Sequence, residues 1–243
     1  ADKFGEDNDV TRVEVKGQFP RTGSNQFIGR EVVSYAAERE LVPDDGAPLT
    51  MGIDVARFGD DESVFYFRRG RDARTIKPIR FKKTDTMSLA AEAATTIERL
   101  KPDAVFIDGG GVGGGVVDRL KMLGYRVIEV QSGELARDEA KYLNRRAELW
   151  GEMREWLIYG CIPNDEQLID DLTGPEYALH LKGQIKLESK DAMKKRGLAS
   201  PDDGDALALT FAEPVSRMDA ATARRMNRMR GMVADSDYDV FST

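Results

Sequence analysis

The sequence predicts an α/β domain built on a mixed sheet, part antiparallel and part parallel, with helices on its faces. Three strand-like segments follow one another between residues 49 and 82 with short connections. Helix-like and strand-like segments then alternate as far as residue 130. Short connections are typical of antiparallel neighbours, whereas an intervening helix is typical of parallel ones. The chain has 243 residues, enough for one sizeable domain with appendages.

The antiparallel part of the sheet is predicted from residues 49–55, 63–68 and 75–81. The first segment is an apolar run between Pro48 and Gly59, which is the pattern of a short buried strand. In the second, Phe65 and Phe67 alternate with more polar neighbours. We therefore expect these three strands to form an antiparallel meander.

The parallel part is predicted from the segments that follow. A helix with apolar residues at helical spacing from Met87 to Ile97 ends before Pro102. We then expect a buried strand at 104–108, a helix at about 116–123 and a strand at 126–130. This strand, helix and strand would complete a parallel unit.

Beyond residue 140, the pattern predicts two helices and a β-hairpin. One helix starts near Asn144, and its apolar face contains Trp150 and Trp156, which we interpret as core residues rather than a platform for stacking bases. Apolar residues alternate on both sides of Lys182-Gly183, which predicts a hairpin with a two-residue turn.

The last core helix is predicted at 201–211. Ser200 is a good N-cap, Pro201 suits the first helical position, and Asp203 completes a capping-box pattern. Asp205 would then lie in the first turns of this helix.

Three aspartates are the candidate functional residues. Asp54 and Asp108 each end a predicted buried strand, and Asp205 lies in the first turns of the last predicted helix. Carboxylates that gather in this way repel one another, so they are expected to bind hard divalent cations such as Mg²⁺ or Mn²⁺. Two such ions can clamp the oxygens of a phosphoryl centre, which indicates phosphodiester hydrolysis.

The alternative for each single residue is structural. An aspartate that ends a strand is also a common turn former or helix cap. Asp60 and Asp61 are further candidate metal ligands or holders of metal-bound water, and equally turn residues. Asp202 is a further candidate ligand, but both it and Asp203 suit a role at the helix N-terminus.

The rest of the composition argues against several other kinds of site. The single Cys161 excludes an internal disulfide and suits a reducing cytoplasm, and the single His180 argues against a zinc hydrolase or a serine triad. No apolar run approaches the length of a membrane span, so we expect no membrane partner. No G-x-x-x-x-G-K-[ST] phosphate-binding loop occurs either.

Basic residues concentrate near the candidate site although the net charge is −7. Residues 182–196 contain six basic residues against two acidic ones, directly before the Asp205 helix. Such residues can hold a phosphate backbone without reading bases, although charge runs are often only solvated surface. The candidate DNA contacts are Lys190, Arg57, Lys182, Lys194, Lys195 and Arg196.

The order of predicted elements is that of a ribonuclease H-like fold with a β-hairpin insertion. Three segments resemble the C-terminal nuclease domain of the large terminase subunit of tailed bacteriophages. They are MGIDVARFGDDES (51–63), FID (106–108) and KKRGLASPDDGDAL (194–207). The resemblance covers about residues 45–215, and the third segment is its most specific part.

This resemblance implies an endonuclease that cuts concatemeric viral DNA at the start and end of packaging, in the host cell cytoplasm and transiently docked on the procapsid. Asp54, Asp108 and Asp205 would hold two Mg²⁺ or Mn²⁺ ions, with Asp54 bridging them. Sequence preference would be weak. The implied partners are double-stranded DNA, the packaging ATPase domain of the same polypeptide, a small terminase subunit and the portal protein.

The resemblance also divides the chain. Because the chain opens at Ala1 without an initiator methionine, we expect a piece of a longer protein. Residues 1–45 would be a linker segment from a missing ATPase domain, residues 46–215 the nuclease domain, and residues 216–243 an arginine-rich and then acidic tail. The tail is a candidate contact for portal or DNA.

Three other functions remain open. Gly109-x-Gly111-x-x-Gly114 follows a predicted strand and precedes a helix, and Glu129 ends the next strand, as in a dinucleotide-binding fold. However, the charge of Asp108 beside the first glycine would oppose a pyrophosphate. The second alternative is an actin-like ATPase domain, since Gly52-Ile53-Asp54 resembles its first phosphate loop. The third is a noncatalytic docking module.

Overall fold

The computed structural model describes residues 25–56, 61–180 and 182–217. Seven helices and seven strands lie within these residues. In chain order they are α1 (Arg30–Glu38), β1 (Leu49–Asp54), β2 (Glu62–Arg69), β3 (Ile79–Lys82), α2 (Thr86–Leu100), β4 (Ala104–Asp108), α3 (Gly113–Met122), β5 (Ile128–Val130), α4 (Arg145–Leu157), α5 (Glu166–Thr173), β6 (Tyr177–Leu179), β7 (Ile185–Leu187), α6 (Lys190–Lys195) and α7 (Asp202–Leu209).

A five-stranded mixed sheet forms the centre, in the order β3-β2-β1-β4-β5. β2 pairs with β1 and β3 in antiparallel fashion, whereas β4 pairs with β1 and β5 in parallel. The predicted meander and parallel unit are both present, joined at β1. The antiparallel half distinguishes this sheet from the mostly parallel sheet of the dinucleotide-binding fold.

Helices cover both faces of the sheet. Phe65 and Phe67 face one apolar cluster, which α2 and α3 complete, while Val64 and Tyr66 face a second cluster with α1, α4 and α7. All four β2 side chains are buried. The alternation seen in the sequence therefore separates two cores, not a core from solvent, because the sheet is covered on both sides.

The expected domain boundary at residue 46 falls inside the folded unit. Helix α1 buries Val32, Val33, Ala36 and Ala37 in the second cluster. Arg74 fixes the end of this helix by donating to the Ala37 carbonyl (2.7 Å). Helix α1, inside the expected linker, thus packs into the core, and residues 1–24 lie outside the described part of the chain.

The predicted hairpin forms, but its turn is longer than two residues. Leu179 pairs with Ile185, and the His180 amide donates to the Gln184 carbonyl (2.7 Å). Gly183 adopts a positive φ of 79°, which glycine permits without strain. Lys182 is exposed in this connection.

The cap predicted for α7 is wrong. The Ser200 hydroxyl donates to Asp202 (2.6 Å) and makes no cap bond. Instead, Asp171 of α5 accepts from the backbone amide of Asp203 (2.8 Å), and the Asp203 side chain pairs with Arg80 (2.9 Å). Sequence reasoning finds local caps, whereas this cap comes from another helix.

None of the helices in the described part of the chain has the length and apolar character needed to cross a membrane.

Candidate metal centre

Two strands deliver Asp54 and Asp108 to the same edge of the sheet. β1 and β4 are parallel neighbours, with Ile53 opposite Ile107, so the residues that follow end adjacent strands at one edge. Asp54 is only 4% exposed. Asp108 is less buried, and its carboxylate accepts from the Gly110 amide (3.0 Å) and the Ser132 hydroxyl (3.0 Å).

The glycine run after Asp108 is explained by close packing. A Cβ on Gly113 would lie 1.8 Å from the Asp108 carbonyl oxygen, so only glycine allows α3 to start this close to the end of β4. An open groove beside these residues is lined by Val55, Gly110, Gly111 and Val112.

Helix α7 delivers Asp205 to the same edge. It packs across β1 and β2, where a Cβ on Gly52 would lie 2.0 Å from the Ala206 carbonyl oxygen. Asp205 is 7% exposed. Its carboxylate accepts from Arg146 Nε (2.8 Å) and Trp150 Nε1 (2.7 Å), both on α4.

The Lys190 ammonium lies among three carboxylates. Its Nζ is 2.9 Å from Asp54 Oδ2, 3.2 Å from Asp202 Oδ1 and 3.1 Å from Asp205 Oδ2. Lys190 is the first residue of α6, whose N-cap is Ser189. The sequence predicted Lys190 as a DNA contact, but in the structure its charge faces the aspartates.

Burial and neighbouring charges shift the pKa values of Asp54 and Asp205 in opposite directions. Burial raises the pKa of Asp54 to about 7, against the opposing charge of Lys190 and with the nearby charge of Asp205. Burial also acts to raise the pKa of Asp205, but the charges of Arg146 and Lys190 outweigh it and bring that pKa to about 2. Burial likewise raises the pKa of Asp202. Asp205 is therefore the more acidic of the two groups, whereas burial favours the protonated form of Asp54.

The acidic groups have the chemistry of a site for a hard divalent cation. Carboxylate oxygens are the ligands that Mg²⁺ and Mn²⁺ prefer, and Lys190 occupies the position of a cation between three of them. Over residues 25–56, 61–180 and 182–217, no group of three acidic, histidine or cysteine side chains is arranged to hold a metal ion. Oxygens spaced around an ammonium at about 3 Å must close in to reach the roughly 2.1 Å that Mg²⁺ requires.

Asp108 lies close to Asp205. It lines a small pocket together with Asp205, Ser132 and Arg146. Asp202, which the sequence offered as a further candidate, contacts Lys190, and its second oxygen accepts from the Glu62 amide (2.8 Å). The site thus has Asp54, Asp202 and Asp205 around one cation position, with Asp108 beside Asp205.

The other predicted residues are more dispersed. Lys194 pairs with Asp61 (2.8 Å), which joins two predicted site residues at the protein surface. Arg196 pairs with Glu188 (2.6 Å). Lys195 is exposed on α6. Within residues 182–196, Lys190, Lys194 and Arg196 are therefore paired with acidic groups of the same chain. Arg57 and Asp60 lie outside the described residues.

Sequence reasoning missed the side chains that hold the aspartates, namely Ser132, Arg146 and Trp150. Arg146 and Trp150 are four residues apart on α4 and so share one helix face. The four-residue spacing was the sequence signal that could have indicated a shared role for Arg146 and Trp150. It did not indicate Asp205 as the partner because the two segments are 59 residues apart in the chain.

A mixed sheet of this order, with acidic residues at the carboxyl ends of β1 and β4, defines the class as ribonuclease H-like. No protein-family model matches the chain. The chain is similar to the probable terminase, large subunit, of Enterobacteria phage P7, with 27% identity over 221 residues. The match covers 84% of this chain and 45% of that protein, so the chain spans about half the length of the curated relative.

Solved structures agree on the fold. The nuclease domain of the large terminase subunit of bacterial virus Sf6 matches with a TM-score of 0.66 at 17% identity, covering 77% of this chain and 99% of that domain. The large terminase nuclease from thermophilic phage G20c with bound magnesium matches with a TM-score of 0.53 at 16% identity, covering 70% and 83%. The predicted ribonuclease H-like fold and the resemblance to large terminase nuclease domains are confirmed.

Proposed function

We propose that this chain is a divalent-metal-dependent DNA endonuclease that acts in viral genome packaging. The observation that carries the proposal is the convergence of Asp54, Asp202 and Asp205 on the Lys190 ammonium, with Asp108 at the end of the neighbouring strand. The similarity to a phage large terminase subunit supports the biological setting.

Asp54, Asp108 and Asp205 would hold two Mg²⁺ or Mn²⁺ ions, with Asp202 available beside Asp54. Structures similar to this one contain manganese or magnesium. Two such ions supply an activated water and neutralise the charge that develops on the phosphate. The carboxylates of Asp205 and Asp54 would provide the negative charge that holds them.

The chain's own contribution is to hold these carboxylates and admit a DNA backbone. The groove beside Val55 and Gly110 leads to the ends of β1 and β4, where small residues leave room for a phosphate. Lys182 and Lys195 are exposed cations that can hold the backbone without reading bases. Weak sequence preference and a strong dependence on salt are the expected result.

In packaging, this activity would cut concatemeric viral DNA in the host cell cytoplasm while the protein is docked on the procapsid. Site selection would come from partners, namely a small terminase subunit and the portal protein. The packaging ATPase domain of the same polypeptide would precede this domain. The similarity to a relative that is about twice as long supports a longer polypeptide.

The test is cleavage of supercoiled plasmid with EDTA, Mg²⁺ or Mn²⁺. Nicking and linearisation should require the metal and should be lost in Asp54→Asn, Asp108→Asn and Asp205→Asn. Asp170→Asn, which changes an exposed aspartate on α5, is the matched control and should cleave like the unmodified chain.

Cleavage that survives all three site substitutions would overturn the proposal. A rise in melting temperature with ATP or NAD, but not with Mn²⁺, would favour the ATPase or dinucleotide alternatives. No response to any of these ligands would favour a docking module.

A further inference from the structure

Arg146 connects the parts of the site through its side chain. Nε and Nη2 donate to the two oxygens of Asp205 at 2.8 and 3.3 Å, and Nη1 donates to the Glu188 carbonyl at 2.7 Å. All three guanidinium nitrogens are therefore bonded within the protein. The side chain is 15% exposed, so it is poorly placed to contact DNA directly.

The Glu188 carbonyl lies at the start of the segment that carries Lys190. Ser189 is the N-cap of α6, and its side chain accepts from the Ala192 amide (3.2 Å). The bond from Arg146 to Glu188 therefore fixes the entry to α6. It sets the position from which Lys190 reaches the carboxylates.

The backbone of Arg146 reaches the third aspartate. Its amide donates to the Ser132 carbonyl (3.0 Å), and the Ser132 hydroxyl donates to Asp108 Oδ2 (3.0 Å). One residue on α4 is thus linked to Asp205 directly, to Asp108 through Ser132 and to Lys190 through α6.

We propose that Arg146 is the positioning residue that sets the spacing of Asp205 against Asp108 and the Lys190 segment for metal binding. The proposal rests on the metal site of the proposed function. The planar guanidinium binds both oxygens of Asp205 and so fixes the plane of the carboxylate. Without Arg146, Asp205 would keep Trp150 at Oδ1 and Lys190 at Oδ2 but would lose the planar contact that holds both oxygens in one orientation.

The neighbouring Arg145 provides a matched control. Arg145 is buried, at 8% exposure, but it bonds to Glu148 and to the Ala212 carbonyl, away from the aspartates. Its removal should cost stability without altering the site. Arg146→Met and Arg145→Met therefore compare two buried arginines that are adjacent in sequence.

The experiment measures Mn²⁺ binding by calorimetry and hydrogen exchange of residues 189–196 without metal. Arg146→Met should weaken Mn²⁺ binding about tenfold or more, as loss of a group that orients a metal ligand commonly does. It should also speed exchange of 189–196 about tenfold, the effect of losing a hydrogen bond to a charged group. Arg145→Met should change neither, although its melting temperature falls.

Arg146→Lys keeps the charge and serves if Arg146→Met does not fold. Lysine cannot bind both Asp205 oxygens and the Glu188 carbonyl together, so it should show the same two effects more weakly. Unchanged Mn²⁺ binding and exchange in both Arg146 variants would overturn the proposal. If the unmodified chain binds no Mn²⁺, the proposed function fails, and the exchange comparison still decides whether Arg146 fixes α6.

Discussion

Gly52 of β1 and Ala206 of α7 are in direct backbone contact. A Cβ placed on Gly52 would lie 2.0 Å from the Ala206 carbonyl oxygen, which no relaxation of a side chain can relieve. Because Asp205 is the neighbour of Ala206 and Asp54 is two residues from Gly52, this contact fixes the approach of the two carboxylates.

Gly52→Ala should push α7 away from the sheet. We expect a loss of about 1–3 kcal/mol in the free energy of unfolding, the usual cost of overpacking, together with weaker metal-dependent cleavage. Gly115→Ala is the control, since a Cβ there meets nothing within 4 Å. Urea unfolding and plasmid cleavage measure both effects. Equal stability of the two variants would contradict the interpretation.

Lys190→Met should reduce stability and make it depend on metal. Three carboxylates would lose their shared cation, at a cost of about 2 kcal/mol, less than for a fully buried pair because 34% of the Lys190 side chain is exposed. Added Mn²⁺ should restore the melting temperature and should raise it more than in the unmodified chain, since no ammonium competes.

Lys194→Met is the control for this comparison. Its ion pair with Asp61 is at the surface and should contribute less than about 1 kcal/mol. If Mn²⁺ raises the melting temperature of all three proteins equally, Lys190 does not occupy the metal position.

Metal binding should weaken as the pH falls through about 7. Burial raises the pKa of Asp54 to about 7, so below that pH a proton competes with the metal for this carboxylate. Above it, Asp54 is ionised and binding reaches a plateau. Calorimetric titrations with Mn²⁺ should show affinity falling about tenfold per pH unit below the pKa. A flat profile from about pH 6 to 8 would contradict the assignment of Asp54 as a ligand.

Asp171→Asn should stabilise the protein at alkaline pH. Burial and the charge of Asp203 raise the pKa of Asp171 to about 8. Between its ordinary value near 4 and about 8, the unfolded chain ionises while the folded chain stays protonated, so stability falls as pH rises.

Asparagine can still accept from the Asp203 amide but does not ionise. The variant should match the unmodified chain near pH 4 and exceed it near pH 8 by on the order of 1 kcal/mol or more. Urea unfolding at the two pH values tests this. If the variant is destabilised equally near pH 4 and near pH 8, the cost comes from replacing the carboxyl group and not from its ionisation.

Much of the fold could be predicted because its signals are local. The apolar run of β1, the helix before Pro102 and the helix start at Asn144 were each found within a few residues of their observed bounds. The hairpin turn and the α7 cap were missed. The turn depends on the pairing register of two short strands, and the cap comes from Asp171 on a different helix.

The sequence by itself determined which carboxylates end strands and begin the last helix, since apolar runs and turn residues mark those positions locally. Only the tertiary structure decided what surrounds them. Lys190 and Arg146 are 136 and 59 residues in sequence from their partners Asp54 and Asp205. Charge pairing across such separations depends on how α4, α6 and α7 pack against the sheet, and no local pattern records that packing.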